Sequence, residues 1–348
     1  MIKYLGSKRV LVPVLVDVLT HLSETGRETT VLDVFSGTAR VGHALKAAGL
    51  FVRANDHNAY AHMLAHCYVQ ADADRVADEA RRLLAELQTT PAAPGWFTET
   101  YCERARYMHP KNGAKVEAIR ERIDTLALEP DLRAVALVSL MEAADRVDST
   151  TGVQMAYLKS WAPRANNELE LRVPKLLPGP GAAHGLDALA FVERHGADVA
   201  YLDPPYNQHS YLGNYHVWET LVRWDRPEVY GVACKRIDCR ERTSPFNRRR
   251  EIKGAMAALL AAIDARWIVV SFNNEGYISR EEMIELLSSQ GEVTVREVAY
   301  NRYVGAKIGI YNLRGEKVGR IGHLENVEYV FTVDRQAASQ PLHRRAGS

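Results

Sequence analysis

The stretch Val199-Ala200-Tyr201-Leu202-Asp203-Pro204-Pro205-Tyr206-Asn207 constrains the fold more than any other part of the chain. Its apolar run has the continuous character of a strand covered on both faces. Two prolines then remove two ladder donors, and the first pushes Asp203 into an extended conformation. The strand therefore ends at Asp203, and Asp203 and Tyr206 are carried on a stiff, non-helical turn. In an open α/β sheet, ligands bind just beyond the carboxyl ends of the strands. This turn offers a carboxylate and a proline carbonyl, two acceptors with no donor beside them, which suit a planar amino group with two protons to give. Tyr206 adds a face on which a ring can stack. An ordinary strand stop has the same local signature, so context has to decide between them.

The N-terminal region supplies context. Thr29 to Phe35 is a β-rich run, followed by the turn Ser36-Gly37-Thr38-Ala39-Arg40-Val41-Gly42 and a helical pattern, His43 to Ala48, closed by Gly49. Strand, glycine-containing turn and helix make the first half of a nucleotide-binding unit. A second strand, Leu50 to Ala54, runs into Asn55-Asp56. Asp56 follows Gly37 at about the 20-residue spacing of an acid that takes ribose hydroxyls. Upstream, the basic turn between Lys3 and Arg9 precedes a helical pattern, Val10 to Leu22, with Pro13 in its first turn. Such a turn can receive an anion such as a carboxylate.

These four elements come in a recognisable order: Lys-x-x-Gly-x-Lys at the N-terminus, Asp-x-Phe-Ser-Gly at the first turn, Asn-Asp after the second strand, and Asp-Pro-Pro-Tyr far downstream. Together they resemble the Dam-like adenine-specific (N6) DNA methyltransferases. The resemblance implies an α/β fold with a doubly wound, mostly parallel, seven-stranded Rossmann-like sheet and a helical insertion. It implies S-adenosylmethionine as cofactor and double-stranded DNA as partner, with a cognate restriction endonuclease as a possible second partner. Carried over by position, Tyr4, Gly6 and Lys8 would close over the methionine end of the cofactor. Asp33, Phe35, Ser36 and Gly37 would form its main cradle, and Asp56 would bind the ribose hydroxyls. Asp187 would approach the adenine, or simply cap the helix Ala188–Arg194. Asp203, Pro204, Pro205 and Tyr206 would be the catalytic set, Asp203 also bordering the cofactor. One departure stands out: where the family shows a second glycine, this chain has Ala39. Its methyl group fits only if that residue does not need a positive φ.

The division that follows has four parts: residues 1–64 as the N-terminal half of the core, 65–183 as a mainly helical insertion with a possible role in target recognition, 184–335 as the C-terminal half, and 336–348 as a loose tail. In the insertion, Asp72 to Gln88 carries Val76, Ala80, Leu83, Leu84 and Leu87 on one helical face, and further helices are expected over Ala114–Leu128 and Leu132–Val147. The aromatic and basic stretch 101–112 is a candidate DNA contact. Leu169 to Val173 reads as strand. Past Tyr206, the aromatics His209 to Trp224 suit either a wall around an extruded base or helix core, with core favoured for Trp218, Leu221 and Val222. Next, Cys234 to Lys253 holds eight Lys or Arg against three acids, a local net of +5 in a chain whose net charge is only +1. Its Lys235, Arg236, Arg240, Arg242, Arg248, Arg249 and Arg250 are candidate phosphate contacts. Helices are expected over Ala255–Ala265 and Glu281–Gln290, and strands over Arg266–Asn273, Val293–Tyr300 and Val327–Val333, the last two joined by a loop with further basic residues.

Charged residues at 25% and apolar ones at 47% suit a globular protein. No apolar run approaches a membrane span, and the start does not read as a signal peptide. Cys67, Cys102, Cys234 and Cys239 show no paired zinc spacing and read as reduced thiols of a cytoplasmic protein without a metal site. The functional expectation is methyl transfer to adenine N6. The same chemistry on cytosine N4 or RNA adenine, or a DNA-binding homologue without catalysis, are the alternatives.

Overall fold

The computed structural model describes residues 1–5, 8–23, 29–155, 157–301 and 325–336. Gly6, the basic loop 302–324 and the tail 337–348 lie outside the described residues. Among the described residues nine strands run in chain order: β1 Thr30–Asp33, β2 Phe51–Asn55, β3 Ala182–His184, β4 Ala197–Leu202, the short pair β5 Val229–Tyr230 and β6 Lys235–Arg236, β7 Ala265–Asn273, β8 Glu292–Asn301 and β9 Glu325–Asp334. Among the described residues, seven of them form one sheet in the order β3-β2-β1-β4-β7-β9-β8. The first five are parallel, and β9 pairs antiparallel with both β7 and β8. From β1 the chain moves outward to β2 in one direction, and it later returns to β4 on the other side. β1 and β4 therefore flank a topological switch point, where a crevice opens at the carboxyl ends.

Alternation along the strands divides the core between two faces. Val31, Val199, Tyr201 and Val269 pack with helices Val12–His21, Arg40–Ala47 and Ala59–Ala65. The intervening Leu32, Ala200, Ile268 and Val270 face helices Ala188–Arg194, Ile252–Ala262 and Arg280–Ser288. The helices Ala73–Gln88, Pro110–Thr125 and Pro130–Val147 join the first cluster, so the central segment shares a continuous core with the sheet.

Two local expectations are corrected. The helix expected from Ala114 begins at Pro110, where the proline needs no N–H partner and the His109 ring accepts from the Lys111 N–H. The stretch Leu169 to Val173 is not a strand. Its backbone is satisfied by side chains instead: the Gln88 amide bonds both Leu169 and Leu171, and Ser139 bonds Arg172. The strand on this return path is β3, three residues long and too short to announce itself by pattern.

Candidate active site

The catalytic turn leaves β4 two residues beyond the last β1–β4 pair, Asp33 opposite Tyr201. Asp203 Oδ1 accepts from Lys8 Nζ at 2.9 Å and from Ser271 Oγ at 3.0 Å. The Tyr201 hydroxyl lies 2.9 Å from the same serine oxygen. Asn273 Nδ2 donates to the Tyr206 hydroxyl at 2.9 Å, and the Tyr206 ring meets Phe272 edge-on at 5.4 Å. Ser271, Phe272 and Asn273 end β7, so the strand beside β4 holds the turn. Lys8 is buried, and burial alone would lower its pKa. Asp203 and Glu328 outweigh that and raise it, keeping the ammonium charged.

The turn after β1 is built differently. Gly37 has φ +53°, and its N–H donates to Asp56 Oδ2 at 3.1 Å. Ala39 has φ +58° and precedes the helix Arg40–Ala47, so the left-handed residue that glycine would serve is an alanine here. Asp33 is 1% exposed, and burial pushes its carboxyl up to about 7 against the pull of the nearby Ser36 hydroxyl. The Tyr4 ring lies over Gly37 and stacks on Tyr211 at 5.1 Å and Tyr215 at 4.5 Å.

The two turns open onto one cavity of about 290 Å³. Tyr4, Lys8, Asp33, Phe35, Ser36, Gly37, Asp56, Asp187, Asp203 and Pro205 all line it, although they come from five separate stretches of chain. Asp187 both lines the cavity and caps its helix through the Leu189 N–H at 2.9 Å. Pro204 is buried behind Asp203, and Tyr206 sits on the turn without lining this cavity.

The sequence did not announce one wall. Residues Thr243 to Asn247 lie inside the basic stretch, yet all five line the cavity. Phe246 is buried and meets Phe35 edge-on at 5.2 Å. Asn247 Nδ2 donates to the carbonyls of Asn207 at 2.7 Å and His209 at 3.2 Å, joining this wall to the loop after Tyr206. A lone Ser-Pro-Phe in a run of charges was the available signal, since a buried aromatic is what such a run otherwise lacks.

The basic stretch separates into two groups. Arg236 is 1% exposed, its guanidinium bound to both Asp225 and Asp238, and the short β5–β6 pair carries it inward. Arg242 pairs with Glu219 at 2.8 Å, reaches the His57 carbonyl and lines the cavity. The expectation that Arg236 meets phosphate is therefore corrected, because it is buried and held by two carboxylates of the protein, whereas Arg242 is paired with Glu219 and still partly exposed. Arg240, Arg248, Arg249 and Arg250 are exposed and Lys235 is half-buried; Arg240 lies over the Tyr230 ring and Arg248 pairs with Glu251. In the stretch 101–112, Tyr101 and Tyr107 are buried in the core, while Arg104 and Lys111 are exposed and Arg106 and His109 are half-buried.

Comparison with known proteins agrees with the geometry. A model of the D12 class N6 adenine-specific DNA methyltransferases matches residues 4–286, and the chain belongs to that family. It is 28% identical over 321 residues to modification methylase StsI of Streptococcus sanguinis, covering 86% of this chain and 48% of that protein. It is also 28% identical over 316 residues to the type II methyltransferase M.NlaIII of Neisseria lactamica, covering 87% of this chain and 93% of that one. The chain thus spans about half the length of the first relative and nearly all of the second. Among solved structures, a SAM-dependent methyltransferase from Agrobacterium tumefaciens aligns with 12% identity and a TM-score of 0.35, over 96% of this chain and 63% of that one.

Family membership implies use of S-adenosylmethionine, and the cavity suits it. Asp33 Oδ2 and Asn58 Oδ1 are buried with no hydrogen-bond partner among the described residues, so the pocket has acceptors to spare. Four aspartates line it, which complements a ligand bearing an ammonium, a sulfonium and ribose hydroxyls.

Proposed function

We propose that the chain methylates N6 of an adenine flipped out of double-stranded DNA. The carrying observation is that the Asp203 corner and the Gly37 turn border one cavity. When bound, S-adenosylmethionine supplies an electrophilic methyl group. Tyr4 and Lys8 are proposed to cover its methionine end, with Asp33, Phe35, Ser36 and Gly37 as the cradle, Asp56 for the ribose hydroxyls, and Asp187 with Phe246 around the adenine. Extrusion of the target base costs about a few kcal/mol. Tyr206 would stack on the extruded ring, while Asp203 and the Pro204 carbonyl accept hydrogen bonds from the two amino N–H groups, one of which loses its proton as the methyl group is gained. That arrangement aims the nitrogen lone pair at the methyl group and withdraws it from the ring. The gain comes from positioning and from oriented acceptors.

The segment 65–183 is proposed to support target recognition, and the core halves 1–64 and 184–335 to carry the chemistry. Lys235, Arg240, Arg248, Arg249 and Arg250 are proposed phosphate contacts. Replacing Arg249 and Arg250 together with Ala should flatten the slope of log affinity against log salt by about 2, read by fluorescence anisotropy on a DNA duplex. An unchanged slope rejects those two contacts. The relatives' names, a modification methylase and a type II methyltransferase, support a restriction endonuclease that acts on the same site. The direct test is to express the chain in cells without adenine methylation and sequence modified bases. N6-methyladenine at a defined site is expected; N4-methylcytosine, or no mark at all, overturns the reading.

A further inference from the structure

We propose that Arg242 and Asn247 are positioning residues at the two ends of a strap along the cofactor cavity: Arg242 fixes the strap against the cofactor, and Asn247 ties it to the catalytic loop. This rests on the placement of cofactor and target base given above. Residues 242–247 all line the cavity. At one end the Arg242 guanidinium forks. Its Nη1 donates to Glu219 Oε1 at 2.8 Å, and its Nη2 donates to the His57 carbonyl at 3.3 Å. Glu219 lies on the helix His216–Arg223 with its side chain 0% exposed, and its other oxygen accepts the Tyr60 N–H at 3.2 Å. Arg223 stands 3.9 Å from Glu219, and Asp238 stands 3.6 Å from Arg242. His57 directly follows Asp56, which holds the Gly37 N–H. At the other end Asn247 Nδ2 donates to the carbonyls of Asn207 and His209, and Asn207 directly follows Tyr206. Between the two ends the Ser244 hydroxyl accepts the Phe246 N–H at 3.2 Å, and Phe246 packs on Phe35.

The two anchors differ in what they hold. A planar guanidinium serves a carboxylate and a carbonyl at once, whereas an ammonium is a single point of charge. Arg242 therefore joins the strap to the Glu219 helix and to the turn that carries Asp56. Cutting it leaves a buried carboxylate oxygen without its hydrogen-bond donor and frees the strap where the ribose and adenine are placed. The cost falls on cofactor binding. Asn247 faces the catalytic loop instead. Its amide has two protons, and two carbonyls of that loop take them. Tyr206 is held from the β7 end, where its carbonyl accepts the Tyr277 N–H at 2.9 Å and its hydroxyl accepts from Asn273. Asn247 holds the residues after Tyr206 from the cavity wall, so a base stacked on Tyr206 keeps its distance to the methyl group. Losing that contact misplaces the reacting atoms while the cofactor stays bound. One end of the strap thus sets affinity and the other sets turnover.

The test uses the full chain, sinefungin and unmethylated genomic DNA. Arg242→Gln should weaken sinefungin binding about tenfold by calorimetry, with kcat at saturating S-adenosylmethionine within about twofold of wild type. Arg242→Lys keeps the charge without the fork and should still bind sinefungin more weakly than wild type. The slope of log DNA affinity against log salt should not change in Arg242→Gln. Asn247→Ala should lower kcat about tenfold, with sinefungin affinity within about threefold of wild type. Asn247→Asp keeps the size but turns acceptors toward the two carbonyls, and it should fall as far as Asn247→Ala. The proposal is overturned by sinefungin affinity within about threefold of wild type in Arg242→Gln, or by an Arg242→Lys that matches wild type. A salt slope flatter by about 1 in Arg242→Gln makes Arg242 a phosphate contact and overturns it too. So do wild-type kcat in Asn247→Ala, equal losses of kcat and sinefungin affinity in that variant, and loss of the cooperative thermal melt in Arg242→Gln or Asn247→Ala. Those outcomes with an active wild type sink only this inference. A wild type that binds sinefungin yet leaves adenine unmodified removes the proposed function and the turnover role of Asn247 with it.

Discussion

Asp33 and Asp203 both stand at the carboxyl ends of neighbouring parallel strands, β1 and β4, and both line the same cavity. Their company differs. Asp33 is enclosed, and burial pushes its carboxyl up to about 7, well above the ordinary aspartate range. Asp203 is partly exposed and has an ammonium 2.9 Å away. The backbones differ as well. After Asp33 the chain turns through left-handed Gly37 and Ala39, which lets it approach a ligand closely; after Asp203 it turns through two prolines, which fix direction and present a bare carbonyl. Position on the sheet brings both acids to the ligand. Neighbouring charge and turn chemistry decide what each one does there.

The comparison is broken most severely at Asp203. Asp203→Asn places amide donors where the target amino group needs an acceptor and takes the negative charge away from Lys8. Methyl transfer to unmethylated DNA should fall roughly 10²- to 10³-fold, about 3–4 kcal/mol of barrier. Retention of more than about a tenth of the activity would end the distinction between the two acids.

Asp33→Asn should act on stability in addition to any loss in the cofactor cradle. The ordinary aspartate value is 3.8 and the folded value is about 7. Between these the folded state holds a proton that the unfolded chain has lost, so wild-type stability declines as pH rises through that window. The amide introduced by Asp33→Asn does not titrate. The variant's stability relative to wild type should therefore grow from pH 5 to pH 8 by about 2–4 kcal/mol, measured by urea unfolding. Parallel pH profiles would show that Asp33 is no more buried in its charged form than Asp203.

The smallest effect is on the turn itself. Ala39 carries a Cβ at φ +58°, a conformation that costs an L-residue about 1 kcal/mol. Ala39→Gly should stabilise the chain by up to about 1 kcal/mol, offset in part by the greater freedom of glycine when unfolded. Tighter sinefungin binding would show that the strain reaches the cofactor cradle. A loss of stability would show that the Ala39 methyl group, fully buried here, packs better than it strains.

Much of this site was legible in the chain because its constraints are local. Prolines end a strand wherever they fall, a Gly-containing turn between strand and helix opens a ligand site, and helical faces repeat with a fixed period. Hence the β4 stop, the β1 turn, the Asp56 spacing and the helix Ala73–Gln88 could be read residue by residue. The switch-point crevice follows from those same elements. What could not be read is which distant side chains meet. Lys8 and Glu328 lie 320 residues apart, and nothing in either neighbourhood announces the other. Arg236 and Arg249 look alike as members of one basic run, but Asp225 and Asp238 draw the first into the interior and leave the second in solvent. Phe246 became a cavity wall only when its segment folded back onto Phe35. Covalent geometry and periodicity act within a few residues and so are written in the chain, whereas desolvation and ion pairing depend on the whole set of neighbours, which only the packed sheet and its helices bring together.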